Sequence, residues 1–345
     1  MDLSMPLSYA GGLKEQALLA ADLEKAGLDL VWVAEVYGFD AVSTMGYLAA
    51  ITERVRIGAG ILPLYSRTPA LIAQTAAGID AVSEGRGVLG LGASGPQVIE
   101  GWHGVPYDRP LARTREIIDI CRMIWRRERL TYDGRCYTLP LPPAEGTGLG
   151  KPLKLITHPV RERIPIWVAA IGEKNVQLAA ELAEGWLPFF FVPEKANELW
   201  GEAIAAGVAK RTADLGPLQI CAGGITAIGE ESEVGAIRDF ARPMIALYAG
   251  GMGAKGKNFY NELVRRYGFE REAEEIQELY LAGRRDEAAK AVPAELVEAT
   301  TLCGPEGYIK DKLAAFEEAG VTMLQVVPVA PSPATVIERL KDWTS

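Results

Sequence analysis

Gly87-Val88-Leu89-Gly90-Leu91-Gly92-Ala93-Ser94-Gly95-Pro96-Gln97 is the stretch on which the fold turns. Val88, Leu89 and Leu91 read as an apolar strand that runs into a loop of the smallest residues. Such residues let backbone approach a ligand closely, and N–H groups in such a loop can bind phosphate. Gly90 to Gly95 also matches G-x-G-x-x-G, the dinucleotide fingerprint, which opens a helix directly inside a compact βαβ unit. The context argues against that fingerprint. Pro96 follows at once, Gly101 and Gly104 interrupt any helix before Pro106, and the strand is the fourth along the chain rather than the first. The stretch reads instead as a loop at the C-terminal end of a barrel strand, where barrel active sites sit. A tight turn needing several glycines is the bland alternative. The Ser94 hydroxyl and the N–H groups of Ser94 and Gly95 favour a phosphate ligand.

Working outward, one junction recurs: a helical segment closes on a small or acidic residue plus Gly, and an apolar strand follows. It occurs at Lys25-Ala26-Gly27, Ser83-Glu84-Gly85, Ala183-Glu184-Gly185 and Glu318-Ala319-Gly320. Glycine suits the left-handed position that stops a helix, and continuous apolar runs suit parallel strands buried on both faces. Eight strands are expected: near Leu3, then Leu30–Ala34, Val55–Ile61, Val88–Gly92, Ile166–Ala169, Trp186–Phe190, Ile220–Ile228 and Met323–Val327. The clearest helix is Pro69–Ser83, with Thr68 as N-cap, Pro69 at its first position and a stripe of Leu71, Ile72, Ile79 and Val82. Eight β/α units predict an α/β fold, a (β/α)8 TIM barrel, over a single domain 1–345. A doubly wound sheet is the runner-up. Insertions are expected at about 130–165, with a hairpin turning at Asp133-Gly134, and at about 250–300, which is charged and helical with interleaved aromatics.

The 345 residues carry 36 Lys+Arg against 45 Asp+Glu, a net charge of −9. An acidic surface argues against nucleic acid or an anionic membrane as partner. Cys121, Cys136, Cys221 and Cys303 are widely spaced, as reduced thiols of a cytoplasmic protein would be. With only His103 and His158, no zinc site is expected. The N-terminus lacks the pattern of a signal peptide.

Two further strand ends are rich in small residues. Gly58-Ala59-Gly60-Ile61 reads as a bulge or close ligand approach, or equally as packing at the rim. Trp167-Val168-Ala169-Ala170-Ile171-Gly172 runs into a helix near Glu173, favouring an anionic or planar ligand. Three strands ending in small residues suggest one flat cofactor across the barrel mouth. Acid–base candidates are sparse. Glu35, directly after Leu30–Ala34, is a mouth acid or a solvated loop acid. Tyr37 and Tyr65 lie in βα loops as proton donors or pocket walls. His103 lies close to the Ser94 loop, although a lone histidine is more often structural.

These segments resemble the bacterial-luciferase-like superfamily, and within it the deazaflavin branch that uses coenzyme F420. The carrying stretches are Gly58–Pro69, Ile79–Arg86, Gly90–Gln97, Asp108–Glu116, Ile164–Ala170 and Ala183–Pro188. The resemblance implies a luciferase-like barrel, commonly dimeric, with a non-proline cis peptide at Gly60-Ile61 backing the deazaflavin ring. It implies a phosphate loop at Ala93, Ser94, Gly95 and Pro96, continuing to Gln97, a contact after strand five at Ala170, Ile171 and Gly172, and a ring contact from Glu35. One departure matters: Val36 stands where a related sugar-phosphate dehydrogenase has its proton-transferring histidine, and the second family acid falls where Gly95 or Pro96 stands. That sugar-phosphate chemistry is not supported.

The reading is an F420-dependent oxidoreductase moving a hydride between deazaflavin C5 and a small organic substrate. Glu35, Tyr65 and His103 are its catalytic candidates. An FMN-dependent luciferase-like monooxygenase and a non-catalytic flavin-binding barrel are the alternatives. A homodimer is expected by analogy.

Overall fold

The computed structural model describes residues 1–8 and 12–344. Eight strands form the barrel: β1 (Asp2–Leu7), β2 (Leu30–Val33), β3 (Arg56–Ala59), β4 (Gly87–Gly92), β5 (Ile166–Ala169), β6 (Gly185–Leu187), β7 (Gln219–Ile228) and β8 (Met323–Pro328). Each pairs in parallel with the next, and β8 pairs with β1, so the sheet closes on itself. This is the (β/α)8 arrangement, and the doubly wound alternative is excluded by closure. Two short strands lie off the ring. Leu62–Pro63 pairs with the end of β4, and Leu302–Gly304, which the apolar pattern did not announce, extends the sheet beside the end of β7. No helix among the described residues is long and apolar enough to cross a membrane.

Two tryptophans fill the barrel interior. Leu30 and Trp32 alternate along β2 with Val31 and Val33, and the first pair joins Val88, Trp167, Cys221 and Met323 in a cluster separate from the helix-facing core. The rings of Trp32 and Trp167 meet edge to face, 5.5 Å apart. Both indoles have glycine for a neighbour. Gly58 pairs with Trp32, and a Cβ there would lie 2.5 Å from its ring. Gly185 pairs with Trp167, and a Cβ there would lie 2.1 Å away. Close-packed interiors tolerate no such overlap.

This corrects two expectations. Gly27, Gly85 and Gly320 do take left-handed φ of 107°, 89° and 83°. Gly185 does not: its helix ends at Leu182 and it is already strand, present because of Trp167. The helix Pro69–Val82 has its Thr68 cap, the hydroxyl accepting from Leu71 N–H at 3.2 Å. Its buried face, however, is Ile72, Ala73, Ala76, Ala77, Ile79 and Asp80, while Leu71 and Val82 are exposed.

Between β4 and β5, a short hairpin pairs Tyr132–Asp133 with Thr138–Leu139. Its turn spans Gly134 to Tyr137 and is clamped by the buried Glu116 carboxylate, which accepts from the N–H groups of Arg135, Cys136 and Tyr137 at 2.7, 3.0 and 3.0 Å. Between β7 and β8 lie helices Phe259–Arg266, Glu270–Leu281, Arg285–Lys290 and Ala294–Ala299. Glu230 and Glu233 form a reciprocal capping box at the helix Glu231–Arg238.

Candidate active site

The register of β2 to β6 brings their C-terminal exits side by side. Val33 is level with Ala59, Pro63 with Gly92, Gly92 with Ala169 and Ala169 with Leu187. Glu35, Gly60-Ile61, the Ser94 loop and Ile171-Gly172 therefore form one arc around the mouth.

Glu35 is 9% exposed. The Arg67 guanidinium grips it through both carboxylate oxygens, with Nη2 donating to Oε2 at 2.8 Å. Ala41 N–H donates to Oε2 at 3.0 Å. Burial pushes the carboxyl pKa up, but Arg67 and the Ala41 N–H together outweigh it and hold it below the usual carboxylate range. Glu35 is thus a fixed anion and accepts hydrogen bonds at neutral pH. Sequence reading missed Arg67, although it is the one charge between Arg56 and Asp80.

β3 ends where it meets this arc. The expected strand Val55–Ile61 stops at Ala59, and the Gly60-Ile61 peptide is cis. This turn explains the glycines of the fingerprint look-alike. A Cβ on Gly90 would lie 1.8 Å from the Ala59 carbonyl oxygen, and one on Gly92 would lie 2.8 Å from Ile61 Cγ1. Both are small because β3 bends against them.

The next residues differ. Ser94 is exposed and holds a left-handed φ of 57°. Pro96, read from sequence as a sign that no helix opens directly at this loop, begins one: Pro96–Gly101 starts with Gly95 as N-cap. Proline is tolerated at that first position because its missing N–H would have no helical partner. Among the described residues, the N–H groups of Ser94 and Gly95 donate to no acceptor of the chain. Gln97 is exposed, and the Gly95 carbonyl accepts from Val98 and Ile99.

The β5 exit is tied down by two indoles. Trp186 Nε1 donates to the Ala170 carbonyl and Trp200 Nε1 to that of Ile171, both at 2.9 Å. Gly172 caps the helix Glu173–Leu182 without a side-chain bond and lies close to the Phe259 ring.

Tyr65 is 7% exposed, and its hydroxyl donates to the Asp108 carbonyl at 2.9 Å. Burial, with Tyr107 alongside, pushes its pKa far up. It stacks on Tyr107 at 5.2 Å, whose hydroxyl donates to the Ser94 carbonyl at 3.4 Å. Tyr107 links the loop to Tyr65, a role no sequence pattern signalled. His103 is half-buried. Its backbone N–H donates to the Val98 carbonyl, and its enclosed Nε2 has no partner among the described residues. No hydrogen bond joins Glu35, Tyr65 and His103 among the described residues.

The chain matches the family model described as luciferase-like monooxygenase over residues 2–323. It is 43% identical over 334 residues to a Mycobacterium tuberculosis protein named provisionally as a coenzyme F420-dependent oxidoreductase, covering 94% of both chains. It is 29% identical over 327 residues to the 5,10-methylenetetrahydromethanopterin reductase of Archaeoglobus fulgidus, covering 92% of this chain and 90% of that one. The coenzyme F420 dependent tetrahydromethanopterin reductase of Methanopyrus kandleri has the same fold, with a TM-score of 0.81 at 20% identity, covering 98% of this chain and 96% of that one.

Proposed function

The chain belongs to the luciferase-like monooxygenase family, and on that premise we propose that it is a coenzyme F420-dependent oxidoreductase acting on a small organic substrate. The cofactor assignment draws on the relative that is 43% identical over nearly the whole chain. One observation of the site supports its placement: the N–H groups of Ser94 and Gly95 donate to no acceptor among the described residues, and their loop follows Gly92, where a Cβ would meet Ile61. A planar ring against apolar backbone with an anionic tail at free N–H donors fits that arrangement. Bound there, the deazaflavin supplies two-electron hydride transfer at C5.

The chain's own residues position and shield. Ser94 and Gly95 donate to phosphate, and Ile61 backs the ring with Gly60. Glu35, kept anionic by Arg67, accepts a hydrogen bond and fixes orientation. Tyr65 forms wall rather than a proton donor, because its hydroxyl is committed to a backbone carbonyl. Measuring the affinity of purified protein for F420 and for FMN separates this reading from its nearest rival. Tight F420 binding is expected, whereas tight FMN binding without F420 binding would assign the chain to flavin monooxygenases.

A homodimer belongs to the same proposal. Helices Ala41–Ile51 and Pro69–Val82 pack side by side, and their only charged residue, Asp80, is buried. Gly46 and Gly78 face open space on them. Outer barrel helices such as Pro193–Val208 are instead charged. An uncharged face of small residues suits close helix packing against a second copy. Gly78→Arg should halve the mass seen by light scattering, and an unchanged mass would place the interface elsewhere.

A further inference from the structure

Tyr65, Tyr107 and Tyr267 each commit a hydroxyl within the chain, donating to the carbonyls of Asp108 at 2.9 Å, Ser94 at 3.4 Å and Phe190 at 2.6 Å. Tyr260 does not. Its ring is half-buried, yet its hydroxyl makes no hydrogen bond among the described residues and is not enclosed by the chain. A tyrosine packed into a wall usually finds a partner for its O–H. One that has no internal partner and opens to free space is a donor left for a ligand.

The fold fixes where that hydroxyl stands. Tyr260 lies in the first turn of the helix Phe259–Arg266, whose N-cap is the buried Asn258. The Asn258 side chain accepts from the Tyr260 N–H at 2.9 Å and donates to the Tyr248 and Ala249 carbonyls at 2.8 and 3.0 Å. It thereby fastens the helix start to the π-helical turn Leu247–Gly251. At the other end of the helix Tyr267 holds Phe190, which takes a left-handed φ of 51°. The Tyr260 ring packs on Tyr248 at 4.8 Å, and on Phe189 and Phe190, just past β6, at 5.8 and 6.3 Å. Its neighbour Phe259 reaches the β5 exit, where a Cβ on Gly172 would lie 3.8 Å from the ring. Toward β4, Tyr107 adds to the effect of burial, and together they push the Tyr260 pKa up to about 12. At neutral pH the hydroxyl is therefore a protonated donor. It stands among the exits of β4, β5 and β6, the first two of which carry the Ser94 loop and Gly172.

Resting on the F420 reading for what lies alongside, we infer that Tyr260 contacts the substrate, its hydroxyl donating a hydrogen bond to a carbonyl oxygen of a molecule whose apolar body lies against Phe189 and Tyr248. The probe is p-dimethylaminocinnamaldehyde, a chromophore whose absorption moves to the red when its carbonyl oxygen accepts a hydrogen bond. Titrated into the protein with and without F420, it is expected to shift to the red on binding. Tyr260→Phe keeps the ring and removes only the hydroxyl. It should abolish the shift and weaken the probe about two- to tenfold, the order of one hydrogen bond, with F420 affinity and Tm unchanged. Tyr65→Phe, which removes a committed hydroxyl, should keep the shift. No shift with the wild-type protein, the same shift with Tyr260→Phe, or equal loss with Tyr65→Phe would overturn the inference. A shift that depends on Tyr260 in a protein that binds no F420 would uphold it and overturn the cofactor reading alone.

Discussion

Replacing Arg67 by methionine strikes at the electrostatics of the mouth. In the native protein, burial raises the Glu35 pKa, and Arg67 with the Ala41 N–H more than offsets it. The folded value therefore lies below the unfolded one. The pair's stabilisation is complete above about pH 4.3, the unfolded glutamate value, and is lost as pH falls through the lower folded value. In R67M the Ala41 N–H alone remains, burial governs, and the carboxyl moves above its unfolded value. The sign inverts: the variant is penalised at pH 7, and the penalty shrinks as acid protonates Glu35. Removing one partner of a buried pair costs about 3–5 kcal/mol. The surviving N–H places this case near the lower end, about 3 kcal/mol. With an unfolding entropy of about 2.1 cal/mol/K per residue over 345 residues, that lowers Tm by about 4 °C. Thermal unfolding of wild type and R67M at pH 7 and pH 5 reads this directly, with the gap narrowing at the lower pH. The double variant E35Q/R67M, which buries no charge, should recover most of the loss. A gap equally wide at both pH values, or a double variant no more stable than R67M, would refute the reasoning.

Three further outcomes are expected. Gly185→Ala drives a Cβ into the Trp167 ring and should destabilise by about 3 kcal/mol, with partial recovery in Gly185→Ala/Trp167→Leu, read by denaturant midpoints. Ser94→Trp should abolish F420 binding while leaving the fold intact by circular dichroism. Ser94→Gly, which keeps the left-handed turn and its N–H donors, should lose only several-fold in affinity, the order of one hydrogen bond, and equal affinity in all three proteins would place the phosphate elsewhere. Glu116→Ala should loosen the 134–137 turn by about 2 kcal/mol, seen as faster tryptic cleavage after Arg135, and an unchanged cleavage rate would show that the clamp is not needed.

The barrel was legible because its signals are local. A helix stop, an apolar run and the next helix cap repeat within short windows, so Ile166–Ala169 is found to the residue and Pro69 opens its helix as read. What escaped depends on partners distant in sequence. Arg67 meets Glu35 across 32 positions, and Gly185 is dictated by a tryptophan on the adjacent strand. Leu71 and Val82 fit a helical stripe equally well, but neighbouring helices and β4 select the face carrying Ile72, Ala76 and Asp80. Pro96 was read by its usual effect inside helices, whereas its position at a helix start makes it compatible.

The small residues of these strands and their exits therefore divide into two populations that sequence alone merges. Gly58 and Gly185 make room for the indoles inside the barrel, and Gly90 and Gly92 make room for the bend of β3. None of these four is free to receive a ligand. Ser94 and Gly95 lie just beyond, where the backbone leaves the sheet and its N–H groups are unclaimed. A motif match over Gly90–Gly95 thus spans a packing requirement and a pair of free backbone donors that happen to adjoin. The packing half leaves no room for a Cβ at any of the four, each of which would meet an indole, the end of β3 or the turn after it. On the proposed reading, Ile61, Ser94 and the Arg67-bound Glu35 stand around one arc, the positioning that hydride transfer would ask of binding residues.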